Sequence, residues 1–324
     1  MRAEPRIPDM DLTGAAGPAA GGEELSEELG QLFARAGCRG WLCVTGIDSE
    51  GEVSAGSDEP AVAASVFKVA VALEVFTQAA AGRLDPRERI RVSPEQATSG
   101  PTGLSVFADE AELSVRDLAL MMMAVSDNAA TDILIGLTGL DSISATLTSL
   151  GLRATVIPRT LRDELDSIGQ DAGFAGWDDL MGASARFTAE EERQVQEGIA
   201  RARALSPEHA IRTTAREMAT LLRLIWHDAA GPAQACAQVR QAMSRQVTRQ
   251  RLAVGFPRSG TQVAAKSGSL LGIIRNEAGV ITLPDGRRYA AAVFTRAHRP
   301  YENEHEINTA IGIAAARAVA CLSS

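Results

Sequence analysis

Strand-like runs occur near both ends of the chain, and helical patterns fill the space between them. Apolar runs bounded by turn residues predict five strands, at 41–47, 53–57, 261–265, 278–283 and 288–296. Helical periodicity predicts one helix before the first strand, at 23–36, and another after the last, at 304–322. The simplest arrangement is one antiparallel sheet assembled from both ends of the chain, flanked by the terminal helices, with an all-helical lobe inserted.

The predicted fold class is therefore α/β, in the α+β sense, with one domain. Residues 1–22 are rich in Gly, Ala and Pro and are predicted to be a disordered tail. The domain itself covers 23–324. Within it, the α/β lobe is expected to comprise 23–60 and 215–324, and the helical lobe 61–214.

Two predicted helices in the middle of the chain are apolar nearly all round. The first begins at Ser65 and ends at Gly82. The second spans residues 115–125 and follows Ser114, which begins a capping-box-like pattern. Helices without a polar face belong in the middle of a domain. Polar residues at the ends of such helices must face a cleft or be hydrogen-bonded.

Composition and charge narrow the classes of function. The chain has 324 residues, 45% of them hydrophobic, which is enough for a sizeable core. Its net charge is −9, and an acidic chain without a basic block is a poor partner for nucleic acid or an anionic membrane. No apolar run is long enough to span a bilayer, and the first residues lack the apolar stretch of a secretory peptide. We expect a cytoplasmic monomer without nucleic-acid or membrane partners.

Cysteines and histidines do not indicate a metal or a cofactor. The four cysteines have no metal-ligand spacing and predict four buried apolar side chains, Cys38, Cys43, Cys236 and Cys321. The four histidines form no metal-binding pattern either and are interpreted as structural or surface residues, His209, His227, His298 and His305. The chemistry must therefore come from other residue types.

Three short polar motifs supply what acyl transfer needs without a histidine. In chain order they are Ser65-Val66-Phe67-Lys68, Ser126-Asp127-Asn128 and Lys266-Ser267-Gly268. In the first, Lys68 follows Ser65 by one helical turn and shares its face. A lysine among apolar neighbours favours its neutral form and can take the proton of a serine nucleophile.

The other two motifs supply a proton relay and a cationic rim. Ser126 is predicted to pass a proton to the leaving group, while Asn128 holds Lys68 and the substrate amide. Gly268 allows a substrate backbone to approach, and the N–H of Ser269 is the natural second oxyanion donor beside the Ser65 N–H. Lys266 and Ser267 are predicted to engage a substrate carboxylate. The expected substrate is a small or peptide-like molecule that carries this carboxylate.

Together the three motifs resemble the active-site set of class A β-lactamases and penicillin-binding proteins, S-x-x-K, S-D-N and K-T/S-G. The likeness covers about residues 25–322 and extends to Ser126–Thr131 and Arg275–Val280. It implies the β-lactamase/transpeptidase-like fold, a Ser65 nucleophile with Lys68 as its base, and Arg275 as a carboxylate-binding arginine.

One departure from that family concerns deacylation. Class A β-lactamases place a glutamate in an E-x-x-L-N pattern on an Ω-loop, where it activates the deacylating water. The corresponding stretch here runs from Arg159 to Asp166, and if Leu165-Asp166 replaces L-N, Arg162 occupies the glutamate position. A guanidinium cannot act as a base. Glu164 is nearby but out of register, and it is the candidate deacylation base.

The sequence therefore leaves three functions open. The first is an active-site serine hydrolase of the class A type, acylated at Ser65 and released by water. The second is an intracellular esterase, peptidase or acyltransferase of secondary metabolism. The third is a non-hydrolytic, slowly deacylating penicillin-binding module, which binds or is acylated by a β-lactam or peptide and then signals or sequesters.

Overall fold

A five-stranded antiparallel sheet forms the centre of the molecule. The computed structural model describes residues 21–323, with side chains from residue 25 onwards. The sheet has the order β2-β1-β9-β8-β7, so strands from the two ends of the chain pair at β1 and β9. The strands are β1 (Cys38–Gly46), β2 (Glu52–Ala55), β3 (Ala61–Val62), β4 (Arg89–Val92), β5 (Ala111–Ser114), β6 (Arg212–Thr213), β7 (Gln262–Leu270), β8 (Ile274–Thr282) and β9 (Arg288–Ala297).

The sheet separates two apolar layers. One face packs against the first and last helices, around buried residues such as Phe33 and Ile311. The other face packs against helices of the middle segment, around Phe67, Met122 and Leu222. The helices are α1 (Gly21–Arg35), α2 (Lys68–Ala80), α3 (Val115–Ala124), α4 (Asn128–Thr138), α5 (Leu140–Ser149), α6 (Leu161–Asp171), α7 (Trp177–Ser184), α8 (Ala189–Ala200), α9 (Ala215–Trp226), α10 (Ala233–Ser244) and α11 (Glu304–Ser323).

The predicted architecture is confirmed, with one addition in the helical lobe. The sheet from both ends, the terminal helices and the helical middle are all present. Two small sheets also occur in the lobe predicted to be all helical, one pairing β3 with β6 and the other β4 with β5. These strands have two to four residues, which is too short for a recognisable hydrophobic period.

Two further expectations can be compared with the structure. Cys38, Cys43 and Cys236 are buried, but Cys321 is exposed, so the prediction for Cys321 is wrong. Cys321 lies in the last turn of α11, where its neighbour Leu322 packs against the core and Cys321 itself is exposed. The predicted tail lies outside the described residues, apart from residues 21 and 22, which belong to α1. No helix in the described part of the chain is long and apolar enough to cross a membrane.

Candidate active site

Ser65 lies in a 3-10 turn, Ala64–Phe67, between β3 and α2. Ala64 has a φ of 43°, in the left-handed region that residues with a side chain rarely adopt. Asn276 of β8 braces the turn, since its side-chain amide donates to Ala63 O at 3.1 Å. The serine is thus held at the N-terminal end of a helix, where free N–H groups and the helix dipole favour negative charge.

The edge strand β7 runs beside this turn. A Cβ built on Gly268 would lie 3.0 Å from Ser65 N, so glycine allows the two backbones to approach. The Ser267 N–H donates to the Gln246 side chain and therefore lies on the outer edge of β7, away from β8. Because backbone N–H groups alternate between the two edges, the Ser269 N–H points to the same outer edge. This geometry suits a pair of oxyanion donors, the amides of Ser65 and Ser269.

Lys68 is fully buried at the start of α2. Its Nζ donates to Ser126 O at 2.8 Å and to Asn128 Oδ1 at 2.9 Å. Burial lowers the pKa of Lys68 to about 7, although the nearby carboxylates of Asp127 and Asp132 act in the opposite direction. A neutral amine has two N–H donors for these two oxygens, and its lone pair is then left for its third neighbour, Ser126 Oγ at 3.3 Å, or for an incoming proton.

Ser126 connects the two lysines of the site. Its Oγ lies 3.3 Å from Lys68 Nζ and accepts from Lys266 Nζ at 3.0 Å. Its φ of 63° is left-handed, and this turn directs it between α3 and α4. Next to it, Asp127 caps α4 through Ala130 N at 3.0 Å. No hydrogen bond joins Lys68 to Ser65 Oγ among residues 25–323.

Lys266 projects from β7 and is also fully buried. It donates to Ser267 O at 2.8 Å as well as to Ser126 Oγ. Burial lowers its pKa well below the ordinary value, and the positive charge of Lys68 lowers it further. Lys266 and Lys68 are the only lysines in the sequence, since the other 30 of its 32 basic residues are arginines. Both lysines of the chain thus lie in one cluster, in which each contacts Ser126 Oγ.

Arg275 is not hydrogen-bonded to the motif residues. It lies opposite Ser269 in the β7–β8 register, and its guanidinium pairs with Glu304 at the start of α11. Another arginine reaches β7 instead. Arg251 is buried and donates to Ser269 Oγ at 2.6 Å and to Gly268 O at 2.8 Å. Sequence reasoning missed Arg251, because no motif surrounds it and only the fold brings it to β7.

The two residues that bear on deacylation, Arg162 and Glu164, both lie on α6. The backbone N–H of Arg162 donates to Asp132 Oδ2 at 2.8 Å, and its guanidinium donates to Gln96 O at 3.0 Å. Glu164 is buried, and its Oε1 accepts from Ile211 N at 3.2 Å. Burial raises the pKa of Glu164.

The remaining contact of Glu164 is ionic. Its Oε2 lies 3.5 Å from Arg159 Nε, and this oxygen has no hydrogen-bond partner in the part of the chain that the structure describes. Within the same part, no hydrogen bond joins Glu164 to Ser65, Lys68 or Ser126. A deacylating role for Glu164 therefore stays a prediction. No three His, Cys, Asp or Glu side chains of the described residues are grouped as metal ligands.

The close approach of β7 to Ser65 leads to a prediction. We expect Gly268→Ala to slow acylation of Ser65 by about ten- to a hundredfold, because the added methyl meets backbone atoms that cannot rotate away. Stopped-flow acylation with a β-lactam would measure it. Gly182→Ala is a matched control, since a Cβ there meets nothing within 4 Å. Equal rates for Gly268→Ala and wild type would contradict the inferred approach.

The sheet built from both ends, the helical lobe and the three motifs that meet beside β7 define the fold of β-lactamases and penicillin-binding proteins. The chain belongs to the Beta-lactamase enzyme family, which it matches over residues 24–322. It is 27% identical to the beta-lactamase regulatory protein BlaB of Streptomyces cacaoi, over 87% of this chain and 92% of that protein.

Solved structures agree with the fold. PBP-A superimposes with a TM-score of 0.71 at 22% identity, over 93% of this chain and 96% of that one. The beta-lactamase of Sphaerobacter thermophilus also gives 0.71 at 22% identity, over 92% of this chain and 96% of that one. An ancestral class A beta-lactamase gives 0.70 at 22% identity, over 91% of this chain and 99% of that one.

Proposed function

We propose that this protein is an active-site serine acyl-transfer protein whose Ser65 is acylated by β-lactams or related amides and esters. The observation that carries the proposal is the contact of Ser126 with both buried lysines, at 3.3 Å and 3.0 Å. Ser65 attacks the carbonyl carbon, and its proton passes to the neutral amine of Lys68. The developing oxyanion lies between the Ser65 and Ser269 amides.

Collapse of the tetrahedral intermediate breaks the bond to the leaving group. Ser126 donates a proton to the leaving nitrogen or oxygen, and Lys68 replaces that proton; the 3.3 Å contact between Ser126 Oγ and Lys68 Nζ supports this transfer. In its charged form Lys266 has a third N–H for a substrate carboxylate, since two of its donors are used by Ser126 and Ser267, and the negative charge of that carboxylate favours the charged form. Arg251, held against Ser269, adds positive charge at the same end of β7. Arg275 stays a predicted carboxylate ligand, and to serve as one it would have to share its guanidinium with Glu304.

A second candidate function is a slowly deacylating penicillin receptor. Two observations favour it over a fast β-lactamase. If Leu165-Asp166 replaces the L-N of the family pattern, Arg162 occupies the position of the water-activating glutamate, and a guanidinium is no base. The chain also resembles a beta-lactamase regulatory protein, BlaB, at 27% identity. In this function, the Ser65 ester itself is the signal or the trap.

Burst kinetics test both functions together. We expect a chromogenic cephalosporin to give a burst of about one product per enzyme and then a slow steady state. Loss of a general base costs about a hundred- to ten-thousandfold, so the ester should persist for minutes or longer. Whole-protein mass spectrometry after mixing with a penicillin should show one stable adduct.

Other results would point elsewhere. Fast linear turnover that is lost in Glu164→Gln would give Glu164 the role of the deacylating base and make the protein a β-lactamase. No adduct with any β-lactam, together with labelling of Ser65 by a fluorophosphonate, would favour an esterase, peptidase or acyltransferase. Neither adduct nor labelling would overturn acylation of Ser65 altogether.

A further inference from the structure

Helix α7 lies in the long segment between Glu164 and Ile211. It is connected to both walls of the site. On one side, Trp177 packs against a small buried cluster around Ile168, which Leu270 and Leu271 at the end of β7 also contact. On the other side, α7 carries a carboxylate that reaches the loop between β4 and β5. The segment is therefore part of the surroundings of the site.

That carboxylate belongs to Asp178. Its Oδ1 accepts a hydrogen bond from Ser99 Oγ at 2.5 Å. Its Oδ2 lies 3.8 Å from Arg162, whose guanidinium donates to Gln96 O in the same loop. The loop is thus held to α7 twice, once directly and once through Arg162.

From Ser99 the contacts lead to the amine of the site. The Asn128 side chain donates from Nδ2 to Ser99 O at 2.9 Å and accepts at Oδ1 from Lys68 Nζ at 2.9 Å. An amide that is held at both ends has a fixed orientation, and the Ser99 carbonyl is the partner that holds its N–H₂ end. Moving Ser99 would release Asn128 and open a path for water to Lys68.

We propose that Asp178 is a positioning residue, which holds Ser99 and thereby fixes Asn128 and the amine of Lys68. The inference rests on the proposed function, because Lys68 acts there as the base. Thr98 is separately bonded to Asp132, at 2.7 Å, so the loop keeps its path when Asp178 is removed. Only the Ser99 carbonyl is expected to be released.

The effect can be measured by NMR titration of the lysine side chains. With two lysines in the sequence, a chain grown with ¹³C-labelled lysine gives two side-chain signals, and Lys68→Arg identifies which is which. Titration of the Lys68 signal reports its surroundings without any substrate. The charged groups that face Lys68 are Asp127, Asp132 and Lys266, and none of the variants below changes them.

A positioning role and a purely electrostatic role of Asp178 predict opposite changes in the pKa of Lys68 when the carboxylate is removed. Loss of the Asp178 charge alone would lower the pKa of Lys68, because a negative charge is removed. Release of Asn128 hydrates the amine instead, so we expect Asp178→Ala to raise that pKa from about 7 towards the ordinary 10.5. Ser99→Ala, which removes the hydroxyl donor and no charge, should raise it as well. Asp178→Asn keeps an acceptor for Ser99 and should stay near wild type.

Asp179→Ala is the matched control. Asp179 is adjacent on α7 and caps its start through Ala175 N, at 3.0 Å, without reaching the loop. It should leave the Lys68 titration unchanged. In the same variants we expect the acylation rate to fall by about tenfold for Asp178→Ala and Ser99→Ala only.

The titration and the acylation assay separate this proposal from the proposed function. If wild type forms no acyl-enzyme, the proposed function fails, and the titration still tests the positioning. An unchanged or lowered pKa of Lys68 in both Asp178→Ala and Ser99→Ala would overturn the positioning role, whatever the acylation rates. If Asp178→Ala does not fold, as judged by circular dichroism, the pKa of Lys68 in Ser99→Ala alone tests the positioning role.

Discussion

Covalent labelling by a fluorescent penicillin is expected to disappear completely in Ser65→Ala. The reason is geometric, because Ser65 lies at the N-terminal end of a helix beside β7, where Gly268 allows close approach. Without its oxygen, the carbonyl carbon of the substrate has no nucleophile within the oxyanion site. The measurement is in-gel fluorescence together with whole-protein mass.

The matched control for this loss is Ser244→Ala. Ser244 ends α10 and donates to Gln241 O at 2.7 Å, so its replacement should leave labelling intact. Peptide mapping of the wild-type adduct should locate the label on Ser65. A label that survives in Ser65→Ala and maps to Ser126 or Ser269 would mean that the nucleophile has been assigned to the wrong serine.

Removal of the amine at Lys68 is expected to slow acylation by about a hundredfold or more. Loss of a positioned general base has typically this effect. Lys68→Arg should not restore the rate, because a guanidinium stays protonated and its fork does not fit a site shaped for a compact amine. Stopped-flow acylation with a chromogenic cephalosporin would give these rates, with Arg186→Ala as a surface control.

The same assignment predicts a pH profile. Burial lowers the pKa of Lys68 to about 7, so the amine is protonated below that pH and neutral above it. A base must be neutral to act, and the acylation rate should therefore rise with pH through about 7 and then level off. A rate that falls over this range, or a fully active Lys68→Arg, would show that the site needs only a positive charge there.

Much of the site could be predicted from the chain because its residues stand in short motifs. Ser65 and Lys68 are three positions apart, and local helical geometry is enough to bring them near each other. The apolar sequence after Ser114 likewise predicts a buried helix, and the structure confirms α3 with Ser114 as its cap. At these positions, the spacing of residues that are close in sequence is enough to predict the structure.

Other features depend on contacts between distant residues. Arg251 lies next to Ser269 because the 3-10 turn Leu252–Gly255 packs beside β7. No motif around Arg251 in the chain predicts this contact. Arg275, in contrast, fits a motif position, but its guanidinium is paired with Glu304 of the last helix. The segment before Thr213 has helical patterns in its sequence. Its contact with the loop at Ser99 joins two residues that are 79 positions apart, Ser99 and Asp178.

Periodicity and motif spacing are short-range properties, so the fold class and the candidates for nucleophile, amine and relay could be predicted from the chain. The protonation of those groups depends on the packed molecule instead. Burial of both lysines lowers their pKa values, and burial is a property of the packed molecule. The structure likewise decided that Asp178 reaches Ser99, because a side chain finds such a partner only once distant helices and loops have packed together.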